Sequence, residues 1–234
     1  MGGSRALAAI LGFLATLLIA RSLEPAAMGL WSMALAMQGV GLQLGEAGLR
    51  AVAVTELARE PALAKPILRR IIALRLATST SVVVLGSGVV MALDIGDPWL
   101  TCLLLTSLWP IALQLDWVPL AEGRNRLAAA LLLVRPVAFL SLLLLDPAAL
   151  APATLAGCFL AAWWLAAIAS WPCLLSLRRR LAIIGPGPDL RSLIGLAVPV
   201  AAATLASQLL IGLDILLVGI RLGPADAAFY HLAS

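Results

Sequence analysis

The chain of 234 residues is 62% hydrophobic and only 12% charged, with a mean hydropathy of +1.05, far from the roughly half-apolar, quarter-charged make-up of soluble domains. That composition is one of a protein embedded in a lipid bilayer. The formal net charge of +4 sits in short Arg clusters between apolar runs, with no basic stripe and interleaved aromatics, so it points to membrane topology and not to a nucleic-acid partner.

A helix needs about 20 apolar residues to cross the hydrocarbon core, and the sequence predicts seven such spans, near 5–20, 27–50, 71–93, 99–119, 127–145, 151–175 and 192–220. The first is short. Arg5, an apolar core and Ala20 as a weak cleavage site also fit a signal peptide, but six similar spans follow, which favours a first membrane helix.

The second span carries Gly39, Gln43, Glu46 and Arg50 at helical spacing, on one face of an uninterrupted helix. Glu46 and Arg50, one turn apart with the acid first, are expected to pair, either inside a cavity or as an interfacial pair with Arg50 reaching to water. Between the second and third spans lie Arg59, Lys65, Arg69, Arg70 and Arg75. On the fourth span Gln114 and Asp116 face nearly opposite ways, and Asp116 is expected at the interface.

Arg124 and Arg126 precede the fifth span, in which Arg135 lies about 14 Å from the start, near mid-bilayer. Pro136 follows it and is expected to free a carbonyl and bend the helix. A guanidinium there is costly unless it meets an anion or a cavity, and its planar fork matches phosphate oxygens. Trp109, Trp117, Trp163, Trp164 and Trp171 in the fourth and sixth spans read as interfacial belt or packing residues.

Arg178, Arg179, Arg180 and Arg191 separate the sixth and seventh spans. In the seventh, Thr204, Ser207, Asp214 and Arg221 share a face, with Gln208 beside it and Pro199 as a kink. Asp214 could pair with Arg135 or Arg50, bind a coupling cation, or form a structural salt bridge. Because positive residues are retained on the cytoplasmic side, the Arg-rich loops place the N-terminus in the cytoplasm; the opposite loops hold only Arg21 and Arg221 among acids such as Glu24, Asp94, Asp97, Asp146 and Asp226.

Signatures of enzymes are missing: no HExxH, GxSxG, P-loop or aspartate-rich DxxD motif occurs. Cys102, Cys158 and Cys173 lie in apolar runs, without CxxC spacing and with His231 as the only histidine, which supports neither a disulfide framework nor a metal site.

One pattern occurs twice. ARSLEPAAMGLW, from Ala20, returns as IRLGPADAAFYH, from Ile220; Pro25–Ala26 aligns with Pro224–Ala225 and Trp31 with Tyr230. Each copy is a helix end, a Pro turn and an aromatic opening the next helix. Six spans separate them, which gives halves of parallel orientation, although shared helix-end chemistry in an Ala- and Leu-rich chain yields similar matches. The expectation is a six-helix lobe over 1–180, a cytoplasmic linker over 181–191 and the first helix of a second lobe over 192–234, within a protein of about twelve or more spans.

The stretch ARSLEPAAMGLW, followed by GEAGLRAVAVTELARE, resembles the first two helices of bacterial polysaccharide flippases, the lipid-linked oligosaccharide translocases of the multidrug/oligosaccharidyl-lipid/polysaccharide exporter superfamily. There an ARxLGPxxFG turn leads into a helix ending in Gl…a…Rxxa; here Glu24 replaces the usual Gly and Met28 the aromatic. DLRSLIGLAVPVAAATLASQLLIGLDILLVGIRLGPADAAFYHLAS resembles the family's seventh helix. With the loop clusters, the resemblance extends over essentially all of the chain.

It implies an all-α membrane protein with a MATE-like flippase fold, two six-helix lobes around a central cavity, in the bacterial inner membrane. The implied activity is alternating-access translocation of an undecaprenyl-pyrophosphate-linked oligosaccharide, an O-antigen, capsule or exopolysaccharide unit, beside glycan polymerase or assembly proteins. No cofactor is implied, only a coupling ion, H+ or Na+, or the membrane potential. Arg135 and Arg50 become candidates for the pyrophosphate, Glu46 and Asp214 for counter-ions or cation coupling, and Gln43 and Gln208 for the cavity wall. A multidrug or cation exporter of the same superfamily, and a membrane enzyme of glycan assembly, are the alternatives.

Overall fold

The structure, a computed structural model, describes residues 2–145, 151–177 and 189–233. Asp146, Arg178, Arg179, Arg180 and most of the expected linker lie outside the described residues. Within them every regular element is helical: α1 (Gly2–Ser22), α2 (Pro25–Glu46), α3 (Leu49–Arg59), a short 3-10 turn (Pro61–Leu63), α4 (Ala64–Leu93), α5 (Pro98–Leu105), α6 (Leu108–Leu113), α7 (Trp117–Ala121), α8 (Asn125–Leu145), α9 (Pro152–Ser170), α10 (Cys173–Leu177), α11 (Leu190–Arg221) and α12 (Pro224–Ala233).

Six stretches are long and apolar enough to cross a membrane: Gly2–Ser22, Pro61–Leu93, Pro98–Ala121, Asn125–Leu145, Pro152–Leu175 and Leu190–Arg221. The protein is a helical membrane protein. The stretch expected as the second span, now α2, is long enough but less apolar, and its position explains why. Met28, Trp31, Ser32, Met33, Gln38, Gly41 and Gly45 are all buried, because α2 is surrounded by α4, α5, α6, α11 and α12. A helix wrapped by other helices has little lipid to face and tolerates Gln and Ser, provided that they find partners. Gln38 Nε2 donates to Ser107 Oγ at 3.2 Å, and Ser32 Oγ donates to the Met28 carbonyl at 2.8 Å.

Small residues let those neighbours in. A Cβ at Gly45 would stand 3.1 Å from Ser79 Oγ of α4, and one at Gly41 would stand 2.9 Å from Leu105 of α5. With no hydrophobic force between helices in lipid, such close approach is what provides packing energy. Thr78 of α4 adds a hydrogen bond to the Gly45 carbonyl at 2.6 Å.

Two sequence expectations change. The second span does not run through residue 50: Ala47 (φ 45°) and Gly48 (φ 69°) take left-handed conformations that close α2 and redirect the chain into α3. The fourth span is not one helix but α5, α6 and α7, interrupted at 106–107 and again at Gln114–Leu115, where Gln114 is extended with ψ 132°. Asp97 caps the start of α5 by accepting from the Leu100 amide at 3.0 Å.

Both Pro turns of the repeated pattern form. Pro25 opens α2 after α1, and Pro224 opens α12 after α11, each filling a first-turn position that needs no amide hydrogen. The two hairpins pack together, and α2 and α12 cross where a Cβ at Gly29 would collide with the Pro224 carbonyl.

Candidate functional site

The interruption of the fourth span leaves carbonyls without helical partners inside the bundle, where each would be expensive. Arg75 of α4, 1% exposed, satisfies the Gln114 carbonyl, to which Nη1 donates at 3.0 Å, and its Nη2 donates at 2.6 Å to the Ile111 carbonyl, which also accepts from the Gln114 amide at 3.2 Å. Nη2 also reaches Glu46 Oε1, the last residue of α2, at 3.1 Å. The Leu115 amide, on the other side of the break, donates to Ser170 Oγ of α9 at 2.9 Å.

Past the two breaks a second pair forms. Arg50, on the first turn of α3, donates from Nη2 to Asp116 Oδ2 beside α7, with side chains 37% and 10% exposed. The expected pairing of Glu46 with Arg50 is therefore replaced by Glu46–Arg75 and Arg50–Asp116. The left-handed turn at Ala47–Gly48 removes the helical register on which the one-turn spacing depended. Asp116, expected at an interface, is buried and ion-paired.

Around these pairs the bundle opens into clefts. One, of about 400 Å³, lies between α2, α3 and α11 and is walled by Gln43, Glu46, Arg50, Leu120, Val200 and Thr204. An adjoining one of about 310 Å³ shares Gln43 and Thr204 and adds Ser207 and Gln208. Gln208 also covers Gly39, where a Cβ would stand 2.6 Å from its Nε2. The polar face of α2 and that of α11, read separately from the sequence, thus meet at one place. On the far side of Arg50 a third, smaller cleft of about 60 Å³ is walled by Ser4, Arg5, Asp116, Leu120 and residues 128–132 of α8.

Arg135 and Asp214 stand apart. Arg135 lies in a separate, largely apolar cleft of about 150 Å³ with Thr16, Trp31, Pro136, Phe139 and Phe159. Its guanidinium sits 4.5 Å above the Trp163 ring, a cation–π contact, and it has no ion pair among the described residues. Asp214 accepts from Tyr230 Oη of α12 at 3.2 Å and forms no ion pair with Arg135 or Arg50, which line clefts that Asp214 does not wall.

The tryptophans divide as well. Trp117 is fully buried in the core beside α3, a packing residue and not a belt one; Trp109, Trp164 and Trp171 are exposed. Sequence reading missed Arg75, assigning it to the loop before the third span. Its neighbours Ile71–Leu74 and Leu76–Ala77 already belong to an apolar run, and an Arg inside such a run was the available signal. Among the described residues no cluster of His, Cys, Asp and Glu is placed to hold a metal. No protein-family model, curated protein or solved structure matches the chain.

Proposed function

We propose that the protein is a transporter that translocates an undecaprenyl-pyrophosphate-linked oligosaccharide across the bacterial inner membrane by alternating access, with a MATE-like flippase fold and its N-terminus in the cytoplasm. One observation carries the reading: Gln43, Glu46 and Arg50 of α2–α3 face Thr204, Ser207 and Gln208 of α11 across adjoining clefts. Amide and hydroxyl groups suit sugar hydroxyls, and the partly exposed Arg50 guanidinium can take two phosphate oxygens at once.

In this reading Arg50 takes the pyrophosphate and Arg135 lies outside the sugar path. A cation exporter would need an acid free in the same cleft. Glu46, the acid there, is tied to Arg75 and Arg50 to Asp116, but the Arg50 side chain is 37% exposed against 24% for Glu46, so the more accessible charge in the cleft is the cation. The paired Pro-turn hairpins support an assembly of two related lobes, of which α11 and α12 begin the second.

The test is export. Arg50→Glu in the cell's own copy of the protein should abolish surface glycan at normal protein level in the membrane, while Arg50→Lys should keep a fraction of it. Full export by the Glu variant sinks the head-group role, and drug resistance without any glycan phenotype would replace the substrate class.

A further inference from the structure

Three chain paths change course at one level of the bundle. α2 gives way to α3 through the left-handed Ala47–Gly48; α6 gives way to α7 through the extended Gln114; and α9 ends at Ser170, whose hydroxyl holds the Leu115 amide. α11 carries Pro199 at the same level, where a Cβ at Gly48 would stand 2.5 Å from the Ala197 carbonyl oxygen. On one side of this level Leu49, Val52, Ala53, Trp117, Val118 and Leu131 form one core together with Ala64, Ile67 and Ile71 from the start of α4. On the other side are separate cores, one holding Val83, Leu105 and Leu108 and another Ile19, Leu104 and Leu143.

The ion pairs respect the same division. Glu46, Arg75 and the Ile111 carbonyl belong to the segments before the breaks, and Arg75 also holds the Gln114 carbonyl at the edge of one; Arg50 and Asp116 both belong to the segments after them. Among the described residues no ion pair joins α3 or α7 to α2, α4, α5 or α6. Two neighbouring broken helices are thus clasped to each other twice, once above and once below, and neither clasp spans the break.

We propose that α3 and α7 form a single swinging unit, hinged at Ala47–Gly48 and Gln114–Leu115, held together by Arg50–Asp116, and moving with the packed start of α4 against a frame of α2, α6 and the rest of α4 that Arg75 keeps fixed. A few residues at element ends absorb the dihedral change in such motions, and both hinges lie at helix ends. The unit carries Arg50 and Leu120, which wall both the 400 Å³ cleft toward α11 and the 60 Å³ cleft toward α1 and α8. A swing therefore enlarges one cleft at the expense of the other. The inference stands whether or not a lipid-linked glycan fills the larger cleft.

Pulsed-EPR distances test it on the full chain in lipid nanodiscs, with Cys102, Cys158 and Cys173 replaced by Ala. Nitroxides at the exposed positions Thr55 and Leu85 join the swinging unit to the frame; a pair at Thr55 and Ala121, the last residue of α7, stays within the unit. Two distance populations across the level, with a single one for the second pair, are expected. A cross-level distribution as narrow and single as the other overturns the swing. Ala47→Gly removes the cost of a left-handed non-glycine residue in the state described here, so the second population should fall severalfold; an unchanged ratio overturns the hinge position.

Discussion

Arg75 donates to a carboxylate and two main-chain carbonyls from a site that is 1% exposed. Removing it leaves the acid and the Gln114 carbonyl without their donor, the situation in which truncating one buried partner costs about 3–5 kcal/mol. Arg75→Gln should therefore lower the unfolding free energy by about that amount in chemical denaturation, and pairing it with Glu46→Gln should recover part of the loss. Arg50→Gln should cost no more than about 1 kcal/mol, since its guanidinium is 37% exposed and a partly solvated pair contributes little. Helical spacing predicted the wrong partner for Glu46, because a two-residue left-handed turn is invisible to a periodicity that assumes the helix continues. Gly48 was the only residue there to suggest it.

At the level of elements, the crossing of α2 and α12 depends on the missing side chain at Gly29, whose hypothetical Cβ meets main chain and not a flexible tip. Gly29→Val should displace α12 and loosen the already exposed turn at Leu222–Gly223, read as at least severalfold faster proteolytic cleavage there, while Gly12→Val, which meets nothing within 4 Å, should leave the cleavage rate unchanged. The existence of most apolar helices was legible because crossing a bilayer demands both length and apolarity. The broken fourth span was not. It contains no glycine, and its second interruption is supported by Arg75 and Ser170, side chains from other helices whose arrival at Gln114–Leu115 no local pattern announces. Conversely, the polar faces of α2 and α11 were visible one by one, since a Gln or Thr stands out against Leu and Ala, but that they face each other is a property of packing.

For the molecule as a whole, the separate cores on either side of the break level imply nearly independent energetic regions joined by the continuous helices α4, α8 and α11. Leu131 and Leu143 lie on the same helix but in different cores. Each Leu→Ala change should cost about 2 kcal/mol, the low end of the usual range because lipid in place of water weakens the transfer contribution. The double variant should cost the sum within about 0.5 kcal/mol; a clear excess would show one core, not two.

The Arg75 clasp also constrains how the chain is made. A helix entering the membrane with an unneutralised Arg near its centre costs about 2.5–3.5 kcal/mol on insertion scales. When α4 emerges from the ribosome, Glu46 is already synthesised, whereas the carbonyls of Ile111 and Gln114 have yet to appear. The cheapest path is for α2 to wait at the insertion site and enter the bilayer with α4 as a charge-neutral pair, ready to receive a helix that arrives broken.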